Sequence, residues 1–278
     1  MRRFEQPLLV SKEISSHQIS PFSDISETLL TPEEREIIGS ALLDQGYTSM
    51  AGRFLTCREP VSEMVFQCKH CGNVEIKPSS CNVRICPRCN NRRFRKMAEK
   101  FGVGVQRMIQ PSFLTLSYPN VKVLDRSELD YLTSCFSKLR RSDCFKAVRG
   151  GFYDVGVTFN PSSMTFNPHI HAVIDAPFLS RDAIYARWFE ITADRGGKTR
   201  SVHIERAFTF LKGGRKVKWS PNLPQWIKTK ILKDCSNYLL GHAVKAPSLP
   251  ESEMVASFLI ACYHKRLVQG FGSMFDLP

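Results

Sequence analysis

The chain has 278 residues, room for one large domain or two moderate ones, and 42% of them are hydrophobic, enough to fill a core. Its 39 Lys and Arg against 26 Asp and Glu leave a net charge of +13, which points to a polyanionic partner, nucleic acid ahead of an anionic membrane surface. No apolar run approaches the ~20 residues that cross a bilayer, and Leu8-Leu9-Val10 is too short for a secretory leader; a cytoplasmic protein with no membrane partner is expected, in which ten cysteines suggest metal binding before disulfides.

Residues 1–31 show no clear period and read as an arm. Thr31-Pro32-Glu33-Glu34 is a helix start, with a Thr cap, Pro in the first turn and two acids beside it. Ile37, Ile38, Ala41 and Leu42 keep one face apolar, and Gly46 ends the helix. Two C-x2-C knuckles follow, separated by a strand-like span, and match a structural zinc site. The favoured ligands are Cys68, Cys71, Cys86 and Cys89, with Cys57, His70 and Cys81 as surplus ligand types that could replace one of them or build a second site. Residues 90–101 then form a basic amphipathic helix, with Phe94, Met97 and Phe101 along one stripe. Arg92, Arg93, Arg95 and Lys96 on it are the candidate phosphate contacts.

Strands are expected at 111–120, 150–160 and 168–175, and another at 201–208 before a Gly-Gly hairpin. The brief link from Pro161 to Asn167 makes the second and third antiparallel neighbours. Helices are expected at 127–145, 180–192, 225–244 and 251–267. The third of these strands carries His169-Ile170-His171 after an Asn167-Pro168 turn. Side chains alternate along a strand, so both imidazoles face one way while Ile170 enters the core; together they make a pair of metal ligands. On the 225–244 helix, Asp234, Tyr238 and His242 recur every four residues and share a face.

A hard divalent cation held by two His and a carboxylate keeps open positions for phosphate oxygens and offsets charge that develops during phosphodiester cleavage. A tyrosine hydroxyl beside it can attack the phosphorus. The product is a phosphotyrosyl DNA end and a free 3′-hydroxyl, a step that needs no ATP, in keeping with the lack of a G-x-x-x-x-G-K-[ST] motif.

The order of a Cys knuckle, Phe113-Leu114-Thr115-Leu116-Ser117-Tyr118-Pro119-Asn120, His169-Ile170-His171 and a late Tyr-to-Lys helix resembles the HUH endonucleases. It is most similar to the rolling-circle replication initiators of small plasmids that carry an N-terminal zinc knuckle. Cys81 to Arg93, Asp234-x-x-x-Tyr238 and Lys265-Arg266 followed by Gly272 to Phe275 extend the likeness, which covers about residues 53–276. The resemblance implies that His169 and His171 bind Mg²⁺ or Mn²⁺, and that Tyr238 is the nucleophile. Asp234 stands where relatives carry a Glu that activates water for a second cleavage. It also implies single-stranded or hairpin origin DNA as the partner, with host helicase and polymerase acting after the nick. Two positions depart from the pattern. The Lys expected three residues after the tyrosine is Gly241 here, with Lys245 further on, and a Glu expected as third metal ligand is Gly156, with Asp154 on the same strand face or His242 as substitutes.

The expected fold is α+β: an antiparallel sheet of about five strands, helices on one side and the zinc knuckle at the N-terminal edge. Residues 1–52 form an arm and helix, 53–105 the zinc knuckle and basic helix, and 106–278 the nicking-joining domain. Two other readings stay open: a zinc-knuckle HUH transposase, which usually has a second tyrosine where this chain has His242, and a non-enzymatic zinc-dependent DNA-binding regulator.

Overall fold

The computed structural model describes residues 31–57, 63–67, 70–78, 80–83, 85–196, 201–244 and 252–275. The N-terminal arm, Cys68 and Lys245 fall outside them, as do the side chains of Arg92, Arg95 and His242.

Helix α1 (Pro32–Asp44) starts as its sequence dictates. Thr31 accepts from the Glu34 amide while the Glu34 carboxylate accepts from the Thr31 amide, a capping box. A second helix that periodicity does not reveal, α2 (Thr48–Thr56), follows after Gly46, whose φ of +82° lets the chain turn. Arg35 joins the two: it is buried, its Nη1 donates to the Phe54 carbonyl at 2.6 Å, and its guanidinium lies over the Phe54 ring. A small hairpin, β1 (Glu63–Gln67) and β2 (Val74–Pro78), leads to α3 (Pro87–Gln106), the basic helix.

The remaining elements are β3 (Pro111–Ser117), α4 (Arg126–Arg140), β4 (Gly150–Asn160), β5 (Thr165–Asp175), α5 (Arg181–Ile191), β6 (Val202–Arg206), β7 (Phe208–Phe210), β8 (Lys216–Lys218), α6 (Gln225–Val244), α7 (Ser252–Ala261) and β9 (Val268–Gly272). Five strands make one antiparallel sheet in the order β6-β3-β5-β4-β9, while β7 and β8 form a separate hairpin. The expected α+β fold with a five-stranded sheet is what is found.

Helices cover both faces of this sheet, not one. Leu114, Leu116, Ile170, Ala172 and Val155 face α4, α5 and the α1–α2–α7 group. Phe113, Val173 and Phe152 on the opposite face pack under α3 and α6. Alternation explains the split: strands buried on both sides read as nearly continuous apolar runs, and each fully buried Leu or Ile contributes roughly 1.5–3 kcal/mol. One polar hub ties the end of β5 to the rest. Asp175, 2% exposed, takes a two-pronged ion pair from Arg149 at 2.7 and 2.9 Å and accepts the amides of Ile109 and Gln110. Burial pushes its carboxyl up, but Arg149 and the two amides outweigh it and hold it below the ordinary value.

Two local expectations are corrected. The β4–β5 turn is at residues 161–164, with Met164 at φ +49°, so Asn167 and Pro168 lie within β5. Pro168 is tolerated there because its imino side faces the same way as the Phe166 amide, toward β3, which has already ended at Ser117. The last helix stops at Ala261 instead of reaching residue 267, and the segment after it becomes the edge strand β9 beside β4.

Candidate nicking site and cysteine cluster

Cross-strand register builds the site. Residues directly opposite on neighbouring strands project from the same face. His203 (β6), Thr115 (β3), His171 (β5), Asp154 (β4) and Val268 (β9) therefore form one row, and Ser117, His169 and Gly156 the next. Helix α6 lies over this face and brings Tyr238 down onto it. The Tyr238 hydroxyl is 2.8 Å from Nδ1 of His171, and Thr115 Oγ1 is 3.1 Å from the same nitrogen. The Tyr238 ring rests on Phe113, centroids 4.6 Å apart, so an apolar neighbour fixes its direction.

The two imidazoles are held differently. Nδ1 of His169 lies 2.9 Å from the Asn167 carbonyl; a carbonyl only accepts, so Nδ1 carries the proton and the lone pair sits on Nε2. Burial pushes the His169 pKa below its ordinary value, partly offset by that carbonyl, so the ring is neutral at pH 7 and ligand-ready. Its Nε2 stands over Gly156, where a Cβ would come within 2.6 Å of it. Tyr238 is shifted upward, first by burial and further by the charge of Asp154, with the Thr115 hydrogen bond acting against both. Asp154 itself is 1% exposed.

These donors suit a hard divalent cation in kind: two imidazoles and a carboxylate on one face beside the space that Gly156 leaves. Their ligand atoms are not yet gathered. Among the described residues, only the four-cysteine group below brings three or more such atoms within 4.8 Å of one another, so the His169, His171 and Asp154 side chains have to close for a cation to bind. Asp234, one turn before Tyr238, accepts from Thr209 Oγ1 and pairs with Lys230 at 3.1 Å. Sequence reasoning missed Thr115, although strict alternation along β3 from Phe113 would have placed it on the histidine face.

The zinc-type cluster is built from Cys57, Cys81, Cys86 and Cys89, all buried. Cys71 is exposed and outside it, so of the expected ligands Cys86 and Cys89 belong to the group. Two of the surplus cysteines, Cys57 and Cys81, complete it. Cys57 caps the C-terminus of α2, Cys86 caps the N-terminus of α3, and Cys89 sits in the first turn of α3, where the helix dipole favours a thiolate. Sulfur separations of 3.5 Å (Cys81–Cys89), 3.6 Å (Cys57–Cys89) and 3.7 Å (Cys57–Cys86) come close to the about 3.8 Å edge of a tetrahedron with Zn–S bonds of about 2.3 Å. Backbone and hydroxyl donors support it: the Val83 amide donates to Cys81 Sγ, and Ser80 Oγ lies 3.3 Å from Cys89 Sγ. The donor set and its spacing fit structural Zn²⁺.

From α3, Arg93 donates to the Asn82 carbonyl at 2.6 Å, so it braces the zinc loop, while Lys96 is exposed to solvent. No helix among the described residues is long and apolar enough to cross a membrane.

Residues 74–204 match the sequence model of a replication-protein family, and residues 34–107 match that of a transposase zinc-binding domain. A Staphylococcus aureus protein described as "Protein rep" is 31% identical over 105 residues, 35% of this chain and 46% of the relative. Another "Protein rep", from Streptococcus pneumoniae, is 34% identical over 102 residues, 34% of this chain and 32% of the relative. The chain thus matches less than half the length of each. No solved structure matches it.

Proposed function

We propose, from the match of residues 74–204 to a replication-protein family, that this chain is a rolling-circle initiator that nicks and rejoins single-stranded origin DNA. The observation that carries the reading is the Tyr238 hydroxyl 2.8 Å from His171, on the face that also bears His169 and Asp154. Oη of Tyr238 attacks the scissile phosphorus, the P–O3′ bond breaks, and the 3′-oxygen leaves as a hydroxyl. The 5′ phosphate stays on the tyrosine, conserving the bond energy for rejoining. With Nε2 of His171 left for the cation, its Nδ1 carries the proton and donates to the Tyr238 oxygen, which steadies the phenolate that attacks. Phe113 and partial burial keep the hydroxyl aimed. His169, His171 and Asp154 would hold Mg²⁺ or Mn²⁺, which when bound polarises the phosphate and offsets its developing charge. Asp234, tied to Lys230, is the candidate to activate water for a second cleavage. Lys245 is the candidate cation beyond the helix, and Arg92, Arg93, Arg95 and Lys96 are the candidate phosphate contacts of the zinc module. The reading also brings host helicase and polymerase to the 3′-hydroxyl.

The match of residues 34–107 to a transposase zinc-binding domain favours one second reading, a single-strand transposase. The two differ in substrate: an initiator cleaves plasmid origin DNA, a transposase the ends of its element. The test is incubation of zinc-loaded protein with labelled single-stranded oligonucleotides of each kind, with and without Mn²⁺. Wild type, Tyr238→Phe and His171→Ala are compared on a denaturing gel. Metal-dependent cleavage of the origin strand, lost in both variants, supports the initiator. Cleavage confined to element ends moves the reading to the transposase, and tight binding with no cleavage of any strand to a regulator.

A further inference from the structure

The geometry points to a second binding site: a groove of about 400 Å³ between the cysteine cluster and the β9 edge, which takes one nucleotide of the DNA strand with its phosphate on Arg53, Arg93 and Arg266. This rests on the reading of the chain as a protein that acts on single-stranded DNA. The volume is that of a small-ligand site.

The groove joins segments far apart in the chain: α2, the zinc loop, α3 and the link from α7 to β9. Its described lining carries five basic side chains (Arg53, Arg93, His264, Lys265 and Arg266) and no acidic one. Lys265 is spent structurally, paired with Asp130 and close to Thr133, which leaves three guanidiniums as the anion contacts. Two of these are pre-aimed: Arg53 donates to the Ser49 carbonyl and Arg93 to the Asn82 carbonyl. A planar fork held in place by its own backbone contact suits phosphate better than a flexible lysine.

The rest of the lining suits the sugar and base. Met97 and Leu259 give an apolar floor, and Tyr263 offers a ring already packed on His264, centroids 4.0 Å apart. Base–aromatic stacking tolerates any sequence. Of the three described non-glycine residues at positive φ, two, Asn82 and His264, both at +55°, border this groove. Strained backbone of this kind clusters at binding sites. The groove borders the strand row of the nicking site: Val268 on its wall is the β9 residue paired with Asp154. Through that neighbouring row the groove would couple the zinc module to cleavage.

The test is fluorescence anisotropy of labelled oligo-dT on zinc-loaded Tyr238→Phe protein, so that binding is read without covalent chemistry. Against this parent is set the same protein with Arg53→Ala and Arg266→Ala, checked for unchanged zinc content and melting temperature. The double variant should bind at least tenfold more weakly, with its log–log salt slope shallower by about 0.7 for each phosphate that no longer meets a guanidinium. Thymidine 5′-monophosphate should compete on the parent more strongly than inorganic phosphate at equal concentration. Binding within twofold and an unchanged slope overturn the site; equal competition by phosphate overturns the nucleotide assignment. A parent that behaves as expected while the wild type never nicks overturns the nicking reading and leaves this site standing.

Discussion

Replacing Gly156 by Ala puts a Cβ 2.6 Å from Nε2 of His169, where ordinary van der Waals contact begins at 3.4 Å, an overlap of about 0.8 Å. The ring has little room to yield. Its Nδ1 is tied to the Asn167 carbonyl and its other flank meets His171, with ring centroids 4.6 Å apart. The imidazole must therefore swing by nearly an ångström, and a displacement of that size at a reacting centre costs on the order of 10²-fold in rate. The stability cost is smaller, about 1–2 kcal/mol for a single inserted methyl. Single-turnover nicking of a labelled origin oligonucleotide in Mn²⁺ should fall about a hundredfold while the melting temperature drops by only a few degrees. Gly156→Glu, which restores the carboxylate that the related pattern carries there, should be no better, because the same Cβ collides first. A Gly156→Ala protein that folds normally and nicks within threefold of wild type refutes the placement of His169 in the site.

Thr115→Val removes the hydroxyl that lies 3.1 Å from His171 Nδ1 and should slow nicking roughly tenfold with DNA affinity unchanged, read as kcat against Kd. Cys57→Ser and Cys81→Ser should each lose bound zinc and lower the melting temperature steeply, since structural zinc supplies folding energy, whereas Cys71→Ser should keep one zinc per chain by mass spectrometry. Asp175→Ala strips the acceptor from Arg149 and two backbone amides and should cost about 3 kcal/mol in urea unfolding, moderated because Arg149 is 39% exposed and can rehydrate. The depressed pKa of His169 gives a pH signature. The unfolded chain takes up this proton near pH 6.5 and the folded one only below it. Stability from this group is therefore full above pH 6.5 and falls as the pH drops through the folded value. Melting curves from pH 8 to 5 should show this fall, flattened in His169→Gln.

Most strands were legible because alternation and turn residues are local: Ile170 between two histidines already said which side faced the core. The helix that carries Tyr238 was equally plain from its four-residue spacing. What stayed hidden depends on contacts between distant segments. Cys57 looks like a leftover until α2 folds back and sets it beside α3, and the C-x2-C spacing drew attention to Cys71 instead. β9 has two glycines and no clear alternation, and it becomes a strand only because β4 offers an open edge. The second helix layer was missed because Phe113, Val173 and Phe152, which α3 and α6 cover, sit in strands read as having one solvated face.

The most direct test is to trap the reaction of wild-type protein with a single-stranded origin oligonucleotide in Mn²⁺, digest it with trypsin and locate the nucleotide by mass spectrometry. The account predicts one 5′-phosphoryl adduct on Tyr238, in the peptide that begins at Asp234 after cleavage at Lys233. An adduct on any other residue, or cleavage that leaves no covalent intermediate, contradicts it.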